Sequence, residues 1–400
     1  MIQSISSRCI AFVALGAISA CELGSPDVGP EVLVTDSAGV VIVENRGDPE
    51  DLLHLRLEES PLVRLGSENE HAPDFFGRIN SAHLDSRGNV WVVDLMTGEL
   101  KVFAVPSGEH LFTVGSRGEG PGEFRMPVPV GFQDEMAWVW DQGLGRLTTF
   151  SLDGELIETR LIGTDEELVP RLLFRTGSGT FLAQRPQALT GPVTDGMTIQ
   201  DTVRIWEFEG HVREARLVAE RTGPTWYYAE RTQVPVPFAL GSRFGVGADR
   251  VVMSDPDGGP GLDVIEDGQL VRRIRVDHER TPVTREATER EVESPVRSES
   301  ARALLREHLG RISIPDFLPT WMWVRVGRGG HVFALRYGTL LSGEVWDVFD
   351  PEGRWLGTIS LPEEAHLMDA DLRHVVVAEM PELRGPGIAV YRFDAQWVDS

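Results

Sequence analysis

Lysine is nearly missing from this sequence. Of its 38 basic residues only Lys101 is not an arginine, and Glu99-Leu100 precede it. A P-loop needs glycine and then lysine to cradle phosphates, so that nucleotide site is excluded. Cysteine is almost as scarce, limited to Cys9 and Cys21. No Cys-x-x-Cys, His-Glu-x-x-His or Gly-x-Ser-x-Gly occurs, which removes the simple redox, zinc and serine-hydrolase motifs. Beyond the N-terminus no apolar run approaches the ~18 residues a membrane-spanning helix requires. Positive charge is outweighed, since 62 acidic residues against 38 basic give -24. A surface of that sign repels phosphate backbones and anionic lipid, so no nucleic-acid partner is expected, and the acidity serves solubility.

What is present starts at residue 1. Arg8 precedes the apolar run Cys9-Ile-Ala-Phe-Val-Ala-Leu-Gly-Ala-Ile18, then Ser19, Ala20 and Cys21. A basic segment, a short apolar core and small residues make an export signal rather than a span. The order Ile18-Ser19-Ala20-Cys21 resembles the lipobox of bacterial lipoproteins. That resemblance implies cleavage of residues 1–20 and acylation of Cys21, leaving the chain lipid-anchored on the periplasmic or cell-surface side of a membrane. Cys21 would then be the only mature cysteine, so no intrachain disulfide is expected. Residues 21–34, rich in glycine, proline and acid around Glu22 to Glu31, read as a tether.

Internal repetition follows. Asn89-Val-Trp-Val-Val-Asp94 matches Met136-Ala-Trp-Val-Trp-Asp141, and Trp91 to Trp138, Asp94 to Asp141 and Phe103 to Phe150 all step by 47 residues. Turn signals close both copies at Ser107-Gly108-Glu109 and Asp153-Gly154-Glu155. Each copy reads as a four-stranded antiparallel meander at propeller period. Looser copies appear at Arg204–Phe208, Arg250–Asp255, His331–Leu335 and His374–Ala378, making six. The last ends without room for an outer strand, while Pro61-Leu-Val-Arg-Leu-Gly66 is strand-like and belongs to no complete copy. The expectation is an all-β fold over 35–400: a six-bladed β-propeller of four-stranded antiparallel blades, closed by an N-terminal strand that hides the open edges. An insertion at about 277–320, between blades four and five, carries a helix over Pro282 to Glu293. A second, capped by Ser298, has Ala301, Leu304, Leu305 and Leu309 on one face. It is expected over one mouth of the ring.

The stretch Val114-Gly-Ser-Arg-Gly-Glu-Gly-Pro-Gly-Glu-Phe124 resembles a loop in a bacterial group of six-bladed propellers related to NHL-repeat proteins. Thr35-Asp-Ser-Ala-Gly-Val-Val-Ile-Val-Glu-Asn45 and Phe76-Gly-Arg-Ile79 resemble further pieces of that group. The resemblance is specific over about 35–160 and implies fold and export, not an activity.

Candidate chemistry is dispersed. Asp94, Asp141 and Asp255 end equivalent strands, and equivalent positions on a propeller converge on one face. They are candidate Ca²⁺ ligands, although aspartate at a strand end also starts turns. The run Asp255 to Glu266 mimics a calcium loop at four positions, but Pro260 stands where that loop needs glycine, so a hairpin connection is the better reading. Arg117, Glu119 and Glu123 charge a glycine-rich loop able to expose amides to an anion, or to serve a tight crossover. Trp226, Tyr227 and Tyr228 are aromatic anchors for a saccharide or peptide, or plain packing. His83, just after the first inner strand, is the histidine to inspect for a channel position. The leading expectation is a monomeric, non-enzymatic ligand-binding or protein-interaction scaffold of the cell envelope. It would meet the membrane through Cys21 and take an envelope protein, small molecule or saccharide as partner. The alternative is a Ca²⁺-dependent hydrolase or lyase, lactonase-like or streptogramin-lyase-like, an analogy of fold alone.

Overall fold

Valine-, isoleucine- and aromatic-rich runs separated by Gly-, Asp- and Asn-bearing turns produce 27 strands and two α-helices among the described residues. The computed structural model describes residues 31–47, 55–162, 171–184, 194–209, 214–230, 232–294, 297–339, 343–380 and 385–394. The expected signal, Cys21 and most of the expected tether lie outside them.

The strands form six sheets, numbered here in chain order. Sheet 1 is an antiparallel meander of Ile79–Leu84, Val90–Asp94, Glu99–Phe103 and His110–Val114. Sheet 2 repeats it with Pro127–Gln133, Met136–Asp141, Arg146–Ser151 and Leu156–Leu161. Sheet 3 contains Arg171–Arg175 and Phe181–Gln184, then the long pair Met197–Phe208 and Arg216–Ala229, with Thr232–Pro235 at its edge. Sheet 4 is Phe244–Gly247, Arg250–Ser254, Gly261–Glu266 and Gln269–Val276. Sheet 5 is Trp321–Val326, Val332–Arg336, Val345–Phe349 and Trp355–Ser360. Sheet 6 has three C-terminal strands, Ala365–Ala370, His374–Glu379 and Gly387–Arg392. Its fourth is the N-terminal Val63–Leu65, antiparallel to Gly387–Arg392 with Val63 opposite Val390.

The core lies between sheets. Val90 and Val92 pack towards Val376 and Ile388 of sheet 6, whereas Trp91 and Val93, one residue out of phase, pack towards Ala137 and Val139 of sheet 2. A strand with both faces buried needs apolar residues throughout, and this explains why Val90–Asp94 is buried at every position while outer strand His110–Val114 alternates. The same pattern joins Trp140 to Phe181, Ile205 to Val251, Val264 to Phe349, and Trp346 to Val377, linking sheets 2–3, 3–4, 4–5 and 5–6. Each fully buried Val, Leu or Phe side chain in these interfaces contributes about 1.5–3 kcal/mol. First strands also meet one another, including those of sheets 1 and 2, 4 and 5, and 6 and 1. At the 4–5 approach glycine is required, because a Cβ on Gly245 or Gly247 would lie 2.8 Å from the carbonyl oxygen of Val324 or Val326.

Two additions decorate these sheets. A hairpin of Glu31–Ser37 and Val40–Arg46 extends sheet 4, with Val40–Arg46 parallel to Gln269–Val276. The tether expected over 21–34 is therefore too long, since residues from Glu31 onward gain ladder bonds with Arg46 and its neighbours. The second addition is α1 (Arg285–Val292) and α2 (Glu299–His308), between sheets 4 and 5. Thr284 and Ser298 cap them by accepting the amides of Ala287 and Ala301. Val292, Leu304 and Leu305 pack on Tyr227, Ala229 and Val234, so the helices rest on the overlong pair of sheet 3.

Candidate functional site

The first strands of successive sheets lie against one another, and there unlike sheets bring charged side chains together. His83 comes from sheet 1, Arg171 from sheet 3, Arg325 from sheet 5, and His366 and Asp369 from sheet 6. Glu344 and Arg328 reach them from connections in and around sheet 5.

Most of these charges are answered. The Asp369 carboxylate accepts the Leu84 amide at 3.1 Å and lies 3.8 Å from both His83 Nδ1 and Arg328 Nε. Burial alone would raise its pKa, but His83, Arg328 and the amide outweigh burial and hold it below the usual carboxylate value. Arg328 also binds Asp371 at 2.8 Å and donates to the carbonyls of Leu84 and Asp85. At Asp371 burial is again opposed, by His374, the neighbouring amides and Arg328, and the pKa falls to about 2. Glu344 is 1% exposed yet fully partnered: it accepts His366 Nδ1 at 2.9 Å, Trp346 Nε1 at 2.8 Å and the Leu367 amide at 3.1 Å.

Arg325 differs. Among the described arginines that are not fully exposed, it alone has no hydrogen bond, ion pair or ring contact, and its Nε is buried without an acceptor. Burial pushes its pKa down; Glu344 and Asp369 pull it back partway, while Arg171 pushes with burial. The residue as a whole is partly exposed.

The sequence-derived candidates fare unevenly. His83 faces Asp369 of sheet 6 at 3.8 Å, and it lies within the first inner strand rather than just after it. Asp94 and Asp141 do not converge there. Both are fully buried, and their oxygens are spent on backbone amides: Gly77, Arg78 and Met96 for Asp94, and Arg125, Met126, Gly143 and Leu144 for Asp141. Each pins the entry of its own sheet's first strand to the end of the second. Asp255 sits apart in the hairpin connection between Ser254 and Gly261, accepting the Asp257 amide at 2.9 Å. It borders an open groove of about 440 Å³ that also contains Asp263 and Arg273, already paired at 2.7 Å.

The glycine-rich loop is a fitted crossover. Phe124 is buried, and the amides of Gly118, Gly120, Glu123 and Phe124 are bonded within the loop. Arg146 donates to the carbonyls of Glu119, Gly120 and Glu123 from beneath. Glu119 pairs with Arg125 and Glu123 turns back on Gly120, leaving Arg117 exposed. The aromatic trio splits by strand alternation: Tyr227 is fully buried and bonds His308 Nδ1 at 3.1 Å, whereas Trp226 and Tyr228 point to the other face and are half-buried. Near them Glu230, Glu307 and His308 hold ligand atoms within 4.8 Å of one another, the metal-competent grouping found among the described residues. Cys21 lies outside the described residues.

Sequence reasoning missed Arg325, His366 and Asp369. The available signal was a charge inside an otherwise apolar strand, Trp321-Met-Trp-Val-Arg-Val326.

No family model matches the chain, and no curated protein does. Among solved structures it is similar to a member of the DUF4221 family from Bacteroides vulgatus, at 10% identity and a TM-score of 0.48, covering 85% of this chain and 98% of that one. It is also similar to streptogramin B lyase, at 10% identity and 0.43, over 85% and 98%. Virginiamycin B lyase from Staphylococcus aureus follows, at 9% identity and 0.42, over 85% and 100%. No helix of the described residues is long and apolar enough to cross a membrane.

Proposed function

We propose that this protein is an exported, lipid-anchored six-bladed β-propeller that binds a ligand at its axis and serves as a binding scaffold in the cell envelope. The observation that supports the reading is a succession of apolar interfaces between neighbouring sheets, 1–2 through 5–6 and also 6–1, together with charges brought from separate sheets into contact. Val63–Leu65, entering sheet 6 beside the final strand, supports closure by the N-terminal segment. Ile18-Ser19-Ala20-Cys21 supports the anchor. A calcium enzyme has less support, because the aspartates that would gather the ion are engaged by amides.

The test is a thermal melt of the purified protein in EDTA, in millimolar Ca²⁺, and with a small-molecule extract of the native envelope. The extract should raise the melting temperature of the native chain but not that of His366→Ala, with EDTA and Ca²⁺ giving identical curves. A calcium-dependent rise accompanied by hydrolysis of a lactone would defeat the binding-scaffold reading.

A further inference from the structure

We propose that Glu230, Glu307 and His308 form a zinc site that clips the helical insertion to sheet 3, separate from the ligand site proposed above. Their ligand atoms lie within 4.8 Å of one another. Glu307 and His308 end α2, while Glu230 follows Arg216–Ala229 in the turn that leads to Thr232–Pro235. These elements are far apart in sequence. They meet because Leu304 and Leu305, within a helical turn of His308, pack against Tyr227, Ala229 and Val234. The Glu230 amide donates to Asp195 at 3.1 Å, which fixes the turn from the other side.

Two observations beyond proximity point to a cation. His308 has one ring nitrogen engaged and one free: Nδ1 is 3.1 Å from the hydroxyl of the fully buried Tyr227, and Nε2 is buried with no hydrogen-bond partner. When Nδ1 donates its proton to the Tyr227 oxygen, Nε2 keeps the lone pair that a metal takes, and the ring is held in place by its second partner. The carboxylates, for their part, are not neutralised. Neither Glu230 nor Glu307 forms an ion pair with a described residue, and Arg306 beside them pairs with Glu293 and Glu299 instead. The donor set then selects the ion. One imidazole with two carboxylates suits zinc and its first-row neighbours, whereas Ca²⁺ and Mg²⁺ favour oxygen throughout. Ligands about 2 Å from zinc stand up to about 4 Å apart, so the three atoms need only a small closure. Both glutamates are exposed and can rotate inward, while Tyr227 holds His308. Three protein ligands leave a further position for water. Exposure of two ligands keeps affinity modest, so the site fills when zinc is supplied and chelator alone leaves the fold unchanged.

The untagged full-length protein, washed with chelator in non-ionic detergent, is titrated with Zn²⁺ and melted, with Ca²⁺ and Mg²⁺ as references. One Zn²⁺ per chain should bind with the highest affinity, and zinc near a hundred times its Kd should raise the melting temperature by a few degrees. Glu230→Gln combined with Glu307→Gln alters only exposed positions. That double variant should melt like the native chain without metal and lose the zinc response. His308→Gln should lose it as well; should that variant fail to fold, the double variant decides alone. Three results would overturn the inference: no zinc response in the native chain, an equal response in either variant, or a Ca²⁺ or Mg²⁺ response as large as that of zinc. The response to the envelope extract should persist in both variants, so this inference and the binding reading fail separately.

Discussion

Asp141 and Arg325 are both charges withdrawn from bulk water, and the protein treats them in opposite ways. The Asp141 carboxylate accepts four backbone amides, two from the entry to its sheet's first strand and two from the turn that follows it. Arg325 receives nothing. A buried anion so completely solvated by the backbone is structural, whereas a partly exposed cation still meets water. The difference teaches that repetition in this chain marks scaffolding.

Substitutions can break that comparison. Asp141→Ala should have the largest effect, since it strands four amides in a buried corner; a loss of at least about 3 kcal/mol is expected in urea unfolding. EDTA should not reproduce it, and if it did, the carboxylate would be a metal ligand after all. Asp371→Asn should cost about 2 kcal/mol at neutral pH, from a carboxylate held near 2 against an ordinary 3.8. Because the folded-state pKa is depressed, that stability is present above the unfolded value and is lost as pH falls through about 2. The gap between native and variant unfolding curves should therefore close between about pH 4 and 2. Ser298→Ala supplies a neutral benchmark, one hydroxyl accepting one amide, and should cost about 1 kcal/mol by the same measurement. Arg325→Met should cost least, with an unfolding midpoint at or above the native one; a loss comparable to Asp141→Ala would erase the contrast.

The scaffold was the more legible part of the chain. Trp91, Asp94 and Phe103 recur because each blade-like sheet must bury both faces of its second strand and tie that strand's end to the start of the sheet, and side-chain identity records both demands. The α2 cap and its Leu304–Leu305 face were readable for the same reason, being local. The charge cluster was not, because its members come from strands and connections far apart in sequence, and partners there are chosen across sheets. His83 and Asp369 face each other only once Ala365–Ala370 lies beside Ile79–Leu84. For the aspartates, periodicity gave the position along the strand but not the backbone amides their oxygens accept. The hairpin on sheet 4 was equally hidden, since Val40–Arg46 alternates like any edge strand and does not announce a parallel partner more than 200 residues away.

That hairpin begins a strap. Asn45 accepts the Trp355 amide of sheet 5 and donates to the Gly353 carbonyl, Leu55 donates to Thr358, Leu57 bridges to Phe393, and Val63–Leu65 enters sheet 6. The earliest described residues thus fasten the outsides of the last three sheets. A chain made from its N-terminus must hold this segment in reserve, docking it on sheet 4 only once residue 276 has emerged and on sheet 6 only once residue 392 has. Assembly order therefore runs against synthesis order, and a polypeptide cut short before its final strand would be left with its beginning, not just its end, unfastened.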